Sequence, residues 1–123
     1  METMGLTESF YRGKKVLVTG HTGFKGSWLT IWLNLMGADT AGIALDPAND
    51  NDLFNLADMK GRIRDYRADI RNRAEVERIF EAENPEIVFH LAAQSLVLPS
   101  YNDPVSTFET NFMGTVNLLE ACL

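Results

Sequence analysis

Three glycines fall within seven residues of this 123-residue chain, Gly20, Gly23 and Gly26, in the string VTGHTGFKGSW. An apolar run ends where they begin, and a helical pattern starts where they end. Glycine at that spacing and place meets three demands together: a tight turn, a backbone that a pyrophosphate can approach, and close packing of helix on strand. The free N–H groups and the positive end of the helix then face an anion. Lys25 stands before Gly26 and Ser27, so the Gly-Lys-Ser/Thr order of a P-loop is not met. Its stem can pack while its ammonium stays in water or near phosphate, and no catalytic role falls to it.

Two acids extend the pattern. Asp46 follows a second apolar run, where a carboxylate accepts hydrogen bonds from adenosine ribose hydroxyls and repels a 2′-phosphate. No lysine or arginine occurs in the ten residues after it, which favours NAD over NADP. A simple turn cap before Pro47 is the plainer reading. Asp69 and Ile70, after a third run, either flank an adenine ring or form an ordinary turn. His21, His90 and Cys122 make no metal-ligand set, and both histidines read as structural. Ser95 and Ser100 lack a nucleophile-elbow pattern.

The elements that must position these residues can be read from periodicity. Strands are expected at 15–19, 40–45, 63–67 and 87–93, the last with almost no alternation, as in a sheet covered on both faces. Offsets of three and four from Gly26 through Met36 predict a helix with Gly37 after its end. A short helical turn is expected at 53–57. Asn72 with Glu75 has the form of a capping box opening a helix that Pro85 ends. Asp103 and Pro104 open a last helix over 105–123, with Val105, Phe108, Phe112, Val116 and Leu119 along one face. Phe80, Phe108 and Phe112 read as core, and Cys122 as a small buried hydrophobe.

Strands and helices alternating four times predict a parallel α/β architecture, a Rossmann-type doubly wound sheet in the order 3-2-1-4. It is incomplete: a fifth strand would pair beside the fourth, and the edge at 87–92 is left open. The whole of 1–123 is thus expected to be the N-terminal portion of one NAD-binding domain, with the rest of the sheet and the substrate domain elsewhere.

Bulk properties narrow the class. The formal net charge is −6, and the arginines between 62 and 73 are interleaved with acids, which argues against nucleic-acid or anionic-membrane partners. One cysteine fits a reducing compartment, and neither a secretory signal nor a spanning segment is present, so a cytoplasmic domain is expected.

TGHTGFKG resembles the TGxxGxxG fingerprint of the extended short-chain dehydrogenase/reductase family. DIR at 69–71, HLAAQS at 90–95 and TFETNFMGTVNLLEA at 107–121 are similar to its adenine-side, fourth-strand and following-helix motifs. GFKGSWLTIWL, IALDP and HLAAQSLVLPSYNDP are most like the members that dehydrate a CDP-linked hexose. Leu98 stands where many members carry arginine.

The resemblance implies NAD wrapped at its pyrophosphate by Gly20, Thr22, Gly23, Phe24, Lys25 and Gly26. It implies ribose on Asp46, adenine by Asp69 and Ile70, and Leu91, Ala92, Ala93 and Gln94 along the nicotinamide half, with Ser95 and Leu96 near the sugar. The implied activity is a nucleotide-sugar 4,6-dehydratase (a lyase of O-antigen sugar synthesis) acting on CDP-glucose. It proceeds by oxidation at C4, loss of water and hydride return to C6. The Tyr-x-x-x-Lys pair this chemistry uses lies on a later helix, and the string at 11–15 precedes the first strand with Gly13 inside it. No catalytic residue is therefore expected in this chain. Other readings are a UDP-sugar epimerase, a GDP- or dTDP-sugar dehydratase, a non-catalytic NAD-binding module, and a truncation that needs its other half to fold. The last helix carries surplus apolar surface at Met113, Leu118 and Leu123, so the full protein is expected to be a homodimer through 105–123.

Overall fold

The structure, a computed structural model, describes residues 2–123. Its elements in order are α1 (Glu2–Tyr11), β1 (Lys15–Thr19), α2 (Phe24–Leu35), β2 (Asp39–Ala44), α3 (Leu53–Leu56), β3 (Arg64–Arg67), α4 (Arg73–Glu83), β4 (Ile87–His90), α5 (Val97–Asn102), α6 (Pro104–Phe108) and α7 (Gly114–Cys122). A 3₁₀ turn, Met59–Gly61, precedes β3, and a π-helical turn, Glu109–Met113, joins α6 to α7. The four strands form one parallel sheet in the order β3-β2-β1-β4, as the alternation of strands and helices predicts.

Register follows from the central strand. Val18 pairs with Gly42 on one side and Phe89 on the other, and Thr19 with Ile43 and His90. Successive side chains of β1 point to opposite faces, and both faces are covered. Leu17 joins Ile43, Ile70, Val76, Ile79, Phe80 and Leu118 in a core under α4 and α7. Val16 and Val18 pack with Leu33 of α2 and Met36 at its C-cap on the other face. Burial on both sides is why the strand reads as one apolar run.

Helix ends follow local chemistry. Asp103 caps α6 by accepting the Ser106 N–H at 3.0 Å, with Pro104 at the first position. Gly37, at φ +80°, supplies the left-handed residue that ends α2. Asn72 accepts the Glu75 N–H at 3.3 Å, but the reciprocal half of the capping box is missing. The Asn72 N–H is already bonded to the Asp69 carbonyl at 2.9 Å, so the Glu75 carboxylate meets the Asn72 side-chain amide instead.

The expected last helix needs correction. Val105, Phe108, Phe112 and Leu119 do share one face on both sides of the π turn, but it is the outward one, and all four are exposed. Gly114, Asn117 and Leu118 face the core, whereas Phe108, Phe112 and Leu119 are exposed. A Cβ on Gly114 would lie 2.5 Å from Ile70 Cδ1, so the absence of a side chain there sets how closely α7 packs on the sheet. Cys122 is exposed rather than buried. The fourth strand ends at His90, three residues early, because β1 turns away at Gly20 and offers no further ladder. α5, at 97–102, was not anticipated: Leu98 and Tyr101 are exposed and give it no apolar stripe.

Candidate functional site

The glycine loop leaves the C-terminal end of β1 and enters α2. Gly20 has φ +78°, and a Cβ there would lie 2.8 Å from the Ala92 N atom. Its conformation and its contact with the turn after β4 both require glycine. A Cβ on Gly26 would lie 2.0 Å from the Gly20 carbonyl oxygen, so Gly26 sets the approach of α2 to the loop. Gly23 differs. Its φ is −76°, it is exposed, and the nearest atom to an added Cβ is the Gly20 oxygen at an ordinary 3.4 Å. Nothing inside the chain demands glycine at 23.

Gly23 is the N-cap of α2, and no side chain caps the first turn. The N–H groups of Phe24, Lys25 and Gly26 therefore open the helix without a side-chain acceptor, and Phe24 and Lys25 are exposed. Buried bonds hold the loop from beneath. Thr22 Oγ1 donates to the Leu45 carbonyl at 2.8 Å, and Ser27 Oγ to the His21 carbonyl at 2.9 Å. A rigid, uncapped helix N-terminus beside an open glycine suits a pyrophosphate.

Beside the loop, the ends of β2, β3 and β4 enclose a cleft of about 230 Å³. Leu45, Asp69, Ile70, Ala92, Ala93 and Gln94 line it, with Arg71, Ser106 and Thr110 on its far wall. The structure thus brings the expected adenine-side and fourth-strand residues to one cavity. Ile70 contributes mainly backbone, since its side chain is buried against Gly114. The Asp69 carboxylate pairs with Arg71 at 2.6 Å. Hydrogen bonds from Arg71 hold its carboxyl below the usual range despite burial. Leu91 is partly exposed; Ser95 and Leu96 lie on the rim leading to α5.

Two residues that organise this site, Asn111 and Thr19, escaped the sequence reading. Asn111, in the π turn, clamps Gln94 at both ends of its backbone, accepting its N–H at 2.7 Å and donating to its carbonyl at 2.8 Å. The Gln94 side chain accepts the Leu96 N–H at 2.9 Å and donates to the Leu96 carbonyl at 3.0 Å, so it stiffens its own loop. Thr19 Oγ1 accepts the N–H groups of Leu91 and Ala92, both at 3.1 Å, and so shapes the turn that ends β4. A spacing rule could not single these residues out, because their partners lie 17 and 72 residues away.

Asp46 is not isolated from cations: Arg67 Nη1 lies 2.7 Å from its Oδ1, brought there because β3 pairs beside β2 with Ala44 opposite Arg67. Arg67 also grips Asp65, whose other oxygen contact is His21 Nε2 at 2.6 Å. His21 is fully buried, its ring on Gly42 and edge-on to Phe54. Burial pushes the His21 pKa down against the pull of the Asp65 carboxylate. Burial alone would raise the Asp65 carboxyl, but hydrogen bonds from Arg67 and His21 outweigh it and hold it low. Among the described residues, no group of three His, Cys, Asp or Glu is placed to hold a metal, and no helix is long and apolar enough to cross a membrane.

Comparison with known proteins agrees with this architecture. The family model for GDP-mannose 4,6 dehydratase matches residues 17–123. CDP-glucose 4,6-dehydratase of Salmonella typhimurium is 47% identical over 94% of this chain and 32% of its own length. dTDP-glucose 4,6-dehydratase of the same organism is 38% identical over 86% of this chain and 30% of its own. Among solved structures, UDP-glucose 4-epimerase of Thermus thermophilus in complex with NAD superposes with a TM-score of 0.75 at 39% identity, covering 87% of this chain and 33% of that one. The chain therefore spans about a third of the length of these relatives. A match over nearly the whole chain, joined to the sheet order and the glycine loop, makes it a member of the GDP-mannose 4,6 dehydratase family within the extended short-chain dehydrogenases/reductases, of which it holds an N-terminal part.

Proposed function

We propose that this chain is the NAD-binding part of a nucleotide-sugar 4,6-dehydratase that converts CDP-glucose to CDP-4-keto-6-deoxyglucose. The observation that carries the cofactor reading is Gly23. It is exposed and unstrained, and an added Cβ would meet only the Gly20 oxygen at 3.4 Å, yet it stands at the N-cap of a helix with no side-chain cap beside the cleft. Its missing side chain has a purpose only for something outside the chain, and a pyrophosphate fits that place.

Gly20, Thr22, Gly23, Phe24, Lys25 and Gly26 would hold the pyrophosphate, chiefly through backbone. Asp46 would hold the adenosine ribose, and Asp69 and Ile70 the adenine. Leu91, Ala92, Ala93 and Gln94 would line the nicotinamide half, with Ser95 and Leu96 toward the sugar. Bound NAD would supply the redox chemistry at the hexose. This chain's residues would orient it and exclude water from its adenine side, while the proton-transfer groups stand elsewhere in the protein. CDP-glucose is favoured by the 47% identity to an enzyme named for it. A second reading, a UDP-sugar epimerase, is favoured by the solved neighbours, several of which are UDP-glucose 4-epimerases. A cytoplasmic location and a homodimer through 105–123 belong to the same proposal. The exposed Val105, Phe108, Phe112, Met113 and Leu119 support the second point.

The test is a calorimetric titration of the protein with NAD and with NADP, followed by an assay with CDP-glucose and UDP-glucose. Saturable NAD binding and formation of a 4-keto-6-deoxy product from CDP-glucose are expected. A folded protein that binds neither nucleotide would sink the cofactor reading; interconversion of UDP-glucose and UDP-galactose would move the assignment to an epimerase.

A further inference from the structure

Resting on that cofactor reading, we infer that Arg67 is a second determinant of ribose recognition. It is a fixed guanidinium able to take a 2′-phosphate once Asp46 swings aside, and so the site discriminates only modestly against NADP. The two side chains meet at the C-terminal rim of β2 and β3 but are held very differently. Among the described residues the Asp46 side chain makes one polar contact, the 2.7 Å pair with Arg67, and it is 83% exposed. An exposed pair of this kind contributes little, so the carboxylate is free to rotate into water.

Arg67 is anchored by two groups, Asp65 and the Phe54 ring. Its Nε donates to both Asp65 oxygens at 2.9 and 3.1 Å, and Nη2 lies 2.9 Å from Oδ2. Asp65 is itself nearly buried and tied to His21. The guanidinium carbon stands 5.1 Å from the centre of the fully buried Phe54 ring. When Asp46 leaves, the cation stays, with the Nη1 edge directed toward the space that the acid vacates.

Charge explains why this matters. An acid alone at this rim repels a 2′-phosphate, and that repulsion is the reason a β2-terminal aspartate selects NAD. Here the acid has a guanidinium in contact. Asp65 shares that cation, so the three groups together keep one net negative charge, but the Nη1 edge puts positive charge at the rim where a phosphate would arrive. A planar guanidinium also matches phosphate geometry better than any other side chain.

Calorimetric titrations with NAD and NADP, on protein stripped of co-purified nucleotide, would test this in the wild type, Asp46→Asn, Arg67→Gln and the double variant. The wild type is expected to bind NADP within about tenfold of NAD. Asp46→Asn, a change at an exposed position, raises NADP affinity about tenfold, and the double variant loses that gain. Arg67→Gln weakens NADP about tenfold more than NAD. NADP binding weakens with added salt more steeply than NAD binding in the wild type, and that difference shrinks in Arg67→Gln. If NAD binds while the NADP-to-NAD ratio is the same in wild type and Arg67→Gln, and in Asp46→Asn and the double variant, the inference is overturned and the cofactor reading stands. Binding of neither nucleotide by the folded wild type overturns both.

Discussion

Thr19 Oγ1 lies 2.6 Å from His90 Nδ1 while accepting the N–H groups of Leu91 and Ala92. With both acceptor positions in use, the hydroxyl must donate its one proton to Nδ1, which places the imidazole proton on Nε2. Nε2 then donates to Thr115 Oγ1 at 2.9 Å, and Thr115 donates to the Asn111 carbonyl at 2.7 Å. A single polar chain runs from β1 across β4 to the π turn that clamps Gln94.

Thr19→Val keeps the shape and removes the hub. Two backbone N–H groups and an imidazole nitrogen lose their partner in a part-buried place, and a cost of about 2–4 kcal/mol is expected. Urea denaturation reads this directly, with Thr19→Ser close to wild type. A Val variant of wild-type stability would mean that water replaces the hydroxyl at no cost.

The glycines separate fold from ligand. Gly26→Ala would force a Cβ to 2.0 Å from the Gly20 oxygen, and a loss of about 3 kcal/mol or more is expected in thermal or chemical unfolding. Gly23→Ala meets no contact closer than 3.4 Å and should change stability by less than about 1 kcal/mol, while Gly23→Ala and more so Gly23→Val lower NAD affinity at least about tenfold. Equal loss of stability at both positions would remove the argument for a ligand at Gly23.

Asn111→Ala frees the backbone of Gln94 at both ends. Amide exchange at Gln94 and its neighbours should quicken by about tenfold or more, at a global cost of about 1–2 kcal/mol, and NAD should bind more weakly. Unchanged exchange at Gln94 would show that the loop is held by its own Gln94–Leu96 bonds.

Stability should fall with acid in two stages. His21 and His90 are both held below their ordinary pKa by burial. Above about pH 6.5 each is neutral whether folded or unfolded and contributes no slope. As pH falls below that, the unfolded chain takes up protons that the folded chain refuses, so stability drops. Asp65, Asp69 and Glu83 have lowered pKa values, and the stability they contribute is present above about pH 4 and lost as pH falls through their folded values. Denaturant midpoints from pH 8 to pH 3 check both limbs, and His21→Gln should flatten much of the upper one.

Met113 is 47% exposed in the apolar surface proposed as the dimer face. Met113→Asp should give a monomer by light scattering with little change in the unfolding midpoint. A dimer that persists would move the interface away from this face. Leu118, once grouped with Met113 on that surface, is buried against Ile70 and its neighbours and cannot serve it.

Much of this protein was determined by local chemistry that a sequence displays. The apolar run ending at Gly20, the caps at Asn72 and Asp103 and the left-handed Gly37 are decided within a few residues of where they occur, so strand order and the glycine loop were legible. What tertiary structure decided lies where distant segments meet. Arg67 reaches Asp46 only because β3 pairs beside β2, and a scan of the residues that follow Asp46 does not meet it. Asn111 reaches Gln94, and Thr19 reaches Leu91, across gaps that no spacing encodes. The apolar face through Val105, Phe108, Phe112 and Leu119 is turned outward, and the small and polar positions Gly114 and Asn117, with Leu118, are the ones that meet the sheet. Periodicity finds an apolar face but not whether the sheet or something outside the chain covers it, and ion-pair partners are set by packing.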